Sequence, residues 1–235
     1  MKLALMQPYF LPYLGYFSLI KSADHFVFFD TPQYMKGGWV NRNRIIHPKD
    51  RANYITIPIE KAPLQTPINK IKISYSKNWI QKIFGQLEVY KKRAPHYKEV
   101  VSLLQDILKE KYTYLSLLNI ESTLQICKYF DLDVNYSIFS KLEVNVETAK
   151  SADEWGLNTT KALGYTTYIN PHGGMEFYDP NKYNNAGIKL EYTKNRLSPY
   201  NQHKQPFIPG LSIIDAMMFC SVNEVKSLID DYEIL

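Results

Sequence analysis

Between residues 7 and 43 the chain collects side chains suited to holding a polar ligand: Gln7, Tyr13, Tyr16, Asp30, Gln33, Lys36, Trp39, Asn41, Arg42 and Asn43. Asp30 can take a proton from a nucleophile. Lys36 and Arg42 suit a diphosphate or a carboxylate. Asn41 can donate to a developing oxyanion, and Trp39, after Gly37-Gly38, can plug a core or offer a stacking face. A second group stands late in the chain, at Asn170, His172, Gly173 and Gly174. There the backbone N–H groups of a glycine pair can face a phosphate or an oxyanion, with Asn170 as a further donor and His172 as a second candidate base. Each reading has a structural counterpart. Asp30 can cap a strand-end turn, Asn41 to Asn43 can cap local turns, and Gly173-Gly174 can serve a tight turn.

The elements that must position these residues follow from hydrophobic periodicity. Leu3 to Met6 is a short apolar run that stops at Gln7-Pro8, and an aromatic loop with Pro12 and Gly15 follows. A helix-like stretch, Tyr16 to Lys21, then leads to a second apolar run, His25 to Phe29. This is strand, loop, helix, strand, the unit of a parallel sheet whose ligands bind beyond the strand carboxyl ends. Further strands are expected at Tyr54 to Ile59 and in the run KIKISY at 70–75. From Trp79 the spacing turns helical, with Pro95 separating two helices before a third from about Tyr114 to Phe130. Residues 134–145 alternate, 151–163 return to helical spacing, and strands are expected at Thr167 to Asn170 and Gly187 to Tyr192. A final helix begins near Ser212 with Asp215 in its first turn, a favourable place for a carboxylate. The expected fold is α/β: a mainly parallel sheet in the N-terminal half, a helical middle, and a C-terminal strand-loop-helix segment. Residues 1–235 form one domain with a helical subregion at about 79–130. Segments 7–16, 30–43 and 168–174 are expected to meet at one cleft, with the stretch from Tyr200 to Phe219 packing back to finish its wall.

Composition narrows the chemistry. Aromatic residues make up 14% of the 235 residues, with 19 tyrosines, and tyrosine suits both cores and sugar or nucleobase pockets. The net charge of +5 fits phosphate-bearing small ligands; a dedicated nucleic-acid partner would show a stronger basic stripe. Cys127 and Cys220 lie in apolar helical contexts, which favours buried thiols and a reducing, cytoplasmic compartment. The N-terminus starts on a strand without a signal-peptide pattern, and no run reaches membrane-spanning length. There is no phosphate-binding G-x-x-x-x-G-K-[ST] loop, no G-x-G-x-x-G fingerprint, no zinc-type Cys/His cluster and no G-x-S-x-G elbow. A covalent enzyme intermediate is therefore not the leading mechanism, and no metal site is expected.

Three segments carry a family resemblance: MQPYFLPYLGYFSLIKSADHFVFFDTPQYMKGGWVNRNRI, YINPHGGMEFYDPNKYNNAGIKLEY and YNQHKQPFIPGLSIIDAMMF. In this order they resemble the WbqC-like protein family. The resemblance implies a role in O-antigen-type surface-glycan assembly, adding an amino acid such as glycine, or another acyl group, to the amine of a nucleotide-linked amino sugar. The acyl donor is left open among an aminoacyl adenylate made from ATP, a charged tRNA and a thioester. The rival class is a non-catalytic protein that binds a glycan intermediate or nucleotide sugar. A fainter likeness concerns fold. Tyr13-Leu14-Gly15-Tyr16 stands where nucleotidylyltransferases and class I synthetases carry H-x-G-H, with Gly15 allowing close approach of a nucleotide. Both histidines are tyrosines here and no terminal lysine loop follows, which puts adenylyl transfer in doubt.

Overall fold

A computed structural model describes residues 1–47, 49, 52–203 and 206–235; Lys204 and Gln205, inside the third family-like segment, lie outside that set. Strand β1 (Lys2–Met6) leads through α1 (Leu14–Ser22) to β2 (His25–Phe28), in parallel register with Leu3 opposite His25 and Met6 opposite Phe28. The later strands are β5 (Tyr136–Ile138), β6 (Thr167–Pro171), β7 (Lys189–Asn195) and β8 (Tyr232–Ile234). They complete a six-stranded sheet of order β5-β2-β1-β6-β7-β8. All neighbours pair in parallel except β7 with β8. The chain moves from β1 to β2 on one side and later adds β6 on the other, so strand order reverses between β1 and β6. Ligands of open α/β sheets sit at such a reversal.

Alternation along the strands divides the interior into two cores. Ala4, Phe26, Phe28 and Ile169 face the larger one, and Leu3, Leu5, Val27 and Tyr168 face the smaller. The larger core is covered by α1, α2 (Trp79–Leu87), α3 (Tyr97–Leu108), α4 (Leu115–Tyr129), α7 (Ile213–Phe219) and α8 (Val222–Asp230). The smaller lies under α5 (Glu154–Ala162) and α6 (Pro180–Asn185), and is rich in tyrosine. Both of these helices stop the same way. Gly164 and Gly187 follow their C-terminal caps at φ +73° and +69°, a conformation that glycine adopts without a Cβ penalty, and the chain turns into β6 and β7.

Several expectations need correction. Residues 41–43 do not form an open polar loop: β3 (Arg42–Ile46) pairs antiparallel with β4 (Ala52–Thr56) in a separate two-stranded sheet. The strand expected at Tyr54 to Ile59 accordingly begins earlier and ends at Thr56, before Pro58. Residues 70–75 alternate yet make single bridges only, Lys72 to Tyr114 and Ile73 to Ile59, because no neighbouring strand continues past the prolines at 58 and 63. The last helix is two, α7 and α8. The break falls at Cys220-Ser221, where Ser221 and Glu224 form a reciprocal capping box, which starts a new helix.

Candidate functional site

A cleft of about 770 Å³ opens beyond the carboxyl ends of β1 and β6, within the size range of small-molecule sites. One wall is the loop after β1. Leu11 holds φ +43°, a strained value for a non-glycine residue, while fully buried. The loop is fixed from outside. Asn43 Nδ2 donates to the carbonyls of Phe10 (3.0 Å) and Leu11 (2.9 Å). Ser212 Oγ donates to the same Leu11 carbonyl at 2.7 Å, and Ile213 N–H donates to Pro12. Asn119 Nδ2 donates to Pro8 and Val40, and Tyr16 Oη to the Gln7 carbonyl at 2.9 Å. Polar side chains far apart in sequence thus set the shape of this wall, and the stretch from Gly210 to Ile213 closes it as the C-terminal segment packs back on the loop.

Two glycines admit rings at this site. A Cβ on Gly15 would lie 2.5 Å from the Tyr13 ring, so the ring folds over the first turn of α1 and into the cleft. In the smaller core a Cβ on Gly156 would lie 2.4 Å from the Tyr168 ring, and Tyr168 in turn meets Tyr178 Oη at 3.2 Å. Burial raises the hydroxyl pKa values of Tyr9, Tyr13, Tyr16 and Tyr178 above the usual tyrosine range. These groups therefore stay protonated; Tyr16 gives its proton to the Gln7 carbonyl and Tyr178 shares a hydrogen bond with Tyr168, while Tyr9 and Tyr13 can donate to a ligand.

The opposite wall contains Ala152, Asp153, Asn170, Gly173, Gly174 and Tyr178. Burial pulls the Asp153 carboxyl up, but hydrogen bonds from Ser151 Oγ, Lys182 Nζ and the Asp179 N–H outweigh it and leave the group below its ordinary value. Lys182 bridges Asp153 (3.1 Å) and Glu154 (2.9 Å). Across the cleft Arg44 places its guanidinium 5.5 Å from the Trp39 ring centroid and gives Nη2 to the Gly210 carbonyl. Among the described residues no carboxylate pairs with Arg44, and it is the one cationic side chain of the lining, as Asp153 is its one carboxylate.

Of the residues singled out in the sequence, the cleft gathers Gln7, Tyr13, Tyr16, Trp39, Asn43, Asn170, Gly173 and Gly174, with Gly15 directly beneath Tyr13. The rest lie outside its lining. Both carboxylate oxygens of buried Asp30 accept from Ser140, from N–H at 3.0 Å and from Oγ at 2.6 Å, tying the end of β2 to the segment after β5. His172 opens an exposed 3₁₀ turn. Asn41 donates to the Ile57 carbonyl, Gln33 to Leu64 and Arg42 to Gly37, and Lys36 is exposed. Sequence reasoning missed Tyr9, Arg44, Asp153, Phe177, Tyr178 and Gly210. Arg44 carried a signal, the alternating run Asn41-Arg42-Asn43-Arg44, whose every second residue shares a face.

Asp215 is fully buried and accepts from Tyr90 Oη, Tyr200 Oη and Gln202 Nε2 at 2.6, 2.6 and 2.8 Å. Tyr90 Oη also accepts the Ile46 N–H, so this cluster clamps α7 to β3. Burial pushes the thiols of Cys127 and Cys220 up to about 12, and neither is a ready nucleophile. Among the described residues no group of His, Cys, Asp and Glu gathers to hold a metal ion, and no helix is long and apolar enough to cross a membrane.

The family model of WbqC-like proteins matches residues 7–227. The chain belongs to the WbqC-like protein family. The match begins just after β1 and takes in the cleft loop, the glycine turn after β6 and most of α8. The chain is also similar to the uncharacterized protein Rv1507c of Mycobacterium tuberculosis, 28% identical over 221 residues and covering 92% of each chain. No solved structure matches it.

Proposed function

We infer that this WbqC-like protein is a transferase of surface-glycan assembly, one that binds a nucleotide-linked amino sugar in the cleft and acylates its amine with an amino acid such as glycine or with another acyl group. The observation that carries this reading is the cleft itself: a site at the strand-order reversal with protonated tyrosine hydroxyls, one unpaired cation on one wall and one carboxylate on the other. Such a lining matches a ligand that bears an anion and an amine. In the reaction the neutral amine attacks the donor carbonyl carbon. The carbon–oxygen bond of an adenylate or aminoacyl ester, or the carbon–sulfur bond of a thioester, breaks with its electron pair leaving on the donor fragment. The amine proton passes to a carboxylate. Asp153 is the carboxylate in the lining, so we assign it that role ahead of Asp30 and His172. In the 3₁₀ turn that follows Pro171 the His172 and Gly173 N–H groups precede the first i→i−3 bond, and that of Gly173, with Asn170, suits the oxyanion.

The test is turnover of nucleotide-linked amino sugars with ATP plus glycine, with glycyl-tRNA, or with an acyl thioester, read as a mass gain on the sugar. A mass gain with any donor supports the reading and identifies the group added. The binding-protein reading is favoured by one feature, the Asp153–Lys182 pair, which occupies the carboxylate. It becomes the better account if a nucleotide sugar raises the melting temperature while no donor adds mass.

A further inference from the structure

Four side chains form a row from the cleft onto the open face of the β3–β4 sheet. Arg42 and Arg44 are two residues apart on β3, and Tyr54 stands opposite Arg44 on β4, so strand alternation puts all three on one face. Asn43, Ile45 and Ile55 take the other face and are buried. The Arg44 guanidinium lies 5.5 Å from the Trp39 centroid, Trp39 and Tyr54 stack at 6.4 Å and 29°, and the Arg42 guanidinium lies 4.3 Å from the Tyr54 centroid. Trp39 is 39% and Tyr54 41% exposed, unusual for large aromatics with a core nearby.

Each arginine gives one Nη2 to a backbone carbonyl, Arg42 to Gly37 and Arg44 to Gly210, and neither charge is neutralised. Among the described residues neither has a carboxylate partner, and the buried Nε of each lacks any hydrogen-bond acceptor. Donors left without acceptors cost free energy, and an anion held by the guanidinium groups offsets part of that cost through charge-assisted bonds. Exposed rings interleaved with arginines are the arrangement that holds a nucleotide, the base stacking on a ring while phosphates meet the cations. Trp39 and Arg44 also line the cleft, so a phosphate held by Arg44 joins the two regions.

We propose that the Arg44–Trp39–Tyr54–Arg42 row is the nucleotide-binding site of this protein, with the base on Trp39 and Tyr54, the phosphates on Arg42 and Arg44, and the acyl-accepting or acyl-donating end in the cleft. This rests on the transferase reading and extends it by fixing the ligand's direction: nucleotide outside, reacting group inside. The nucleotide belongs either to the sugar substrate or to the 3′ end of a charged tRNA, and the two sources share this chemistry.

The experiment is an equilibrium titration that needs no turnover. Calorimetry and tryptophan fluorescence quenching are run with UDP, CDP, ADP and GDP, with inorganic diphosphate, and with the 5′-phosphorylated trinucleotide CCA. At least one nucleoside diphosphate is expected to bind more tightly than inorganic diphosphate. Tyr54→Ala and Arg42→Gln, both outside the cleft lining, are each expected to weaken it by about 5- to 150-fold, the range for loss of a stacking partner in the first and of a charge-assisted phosphate contact in the second. Tyr54→Phe retains the ring and is expected to bind as the wild type does, which separates lost stacking from a folding defect. Tighter binding of CCA than of any mononucleotide, with the same losses in the variants, assigns the row to a tRNA end; equal or weaker binding assigns it to the nucleotide sugar. The proposal is overturned if no nucleotide binds, or if Tyr54→Ala and Arg42→Gln bind as the wild type does. Sugar acylation that persists with nucleotide binding unchanged in these variants sinks the row and spares the transferase reading; intact, variant-sensitive nucleotide binding with no acylation does the reverse.

Discussion

The two walls of the cleft are built on opposite plans. On the β1 side, amides and hydroxyls from remote segments hold the carbonyls of residues 8–12, and the polar side chains are occupied by backbone. On the β6 side, packed tyrosine rings and the Asp153–Lys182–Glu154 group do the positioning, and the one carboxylate of the lining is there. A polar residue in a sequence therefore has two different meanings. Where carbonyls of a strained loop need donors, asparagine is architecture. Where rings fill the space, the remaining charged groups face the ligand. The difference can be tested from both sides.

The largest effect is expected on the amide-held wall. Asn43→Ala removes the donor of the Phe10 carbonyl, one of the two donors of the Leu11 carbonyl and the acceptor of the Arg44 N–H. With buried groups left unsatisfied, the loss is roughly 2–4 kcal/mol, a fall in melting temperature on the order of 10 °C. Because Leu11 then relaxes from its positive φ, ligand affinity falls as well. Thermal unfolding that matches the wild type would show that the strained loop holds itself, and the contrast between the walls would collapse.

Next come the two glycines, one on each side. Gly156→Ala drives a methyl into the Tyr168 ring, which is 1% exposed and stacked on Tyr183 at 5.7 Å. The ring has no room to yield, so the cost is about 1–3 kcal/mol. Gly15→Ala strikes the Tyr13 ring at the cleft edge, where the side chain can rotate. Its expected signature is weaker ligand binding with a smaller change in melting temperature, relieved in stability by combining it with Tyr13→Ala. Equal losses of stability in the two glycine variants would contradict this.

The legibility of the molecule followed the same division. The strands β1 and β2 were readable because their apolar runs face two cores, and the break between α2 and α3 because Pro95 cannot continue a helix. That the C-terminal segment packs back to finish the cleft wall was also expected; the Ser212 bond to the Leu11 carbonyl that makes the contact was not. What escaped depends on distant partners. Residues 41–43 look like a polar loop until Ile45 is seen to continue the buried face of Asn43, and β8 is a three-residue edge strand with no pattern of its own. Asp153 gains its setting from Lys182 and from the Asp179 N–H, brought near only when α6 folds over the smaller core. Asp30 looked like a group awaiting a substrate because the residue that occupies it, Ser140, lies 110 positions away.

Acid should act first on the tyrosine-packed wall. The folded-state pKa of Asp153 is depressed, so the stability it contributes is fully present above the ordinary carboxylate value, near pH 4, and is lost as pH falls through the lower folded value. Lys182 is held protonated more strongly than usual by Glu154 and Asp153, so it stays charged throughout this window. Asp153→Asn is expected to flatten the dependence of melting temperature on pH below about 4, whereas Asn43→Ala lowers stability equally at all pH values because no titrating group is removed. An unchanged acid slope in Asp153→Asn would remove the electrostatic half of the comparison.

The smallest effects are expected at the two sequence candidates outside the lining. Asp30→Asn keeps an acceptor for the Ser140 N–H and exchanges one charged oxygen for an amide beside the Ser140 hydroxyl, which can rotate to accept. The expected loss is about 1 kcal/mol. His172→Gln alters an exposed side chain on a turn and is expected to stay within about 0.5 kcal/mol of the wild type. In the assigned reaction both variants keep their turnover, while Asp153→Asn loses about 10²–10⁴-fold in rate, the contribution of a positioned base. Activity should also fall with pH, since the sugar amine must be neutral to attack. If Asp30→Asn or His172→Gln instead loses that much turnover with its melting temperature unchanged, the base belongs to that residue. With Asp30 as the base, the β6 wall would be a second piece of architecture, no different in kind from the loop it faces.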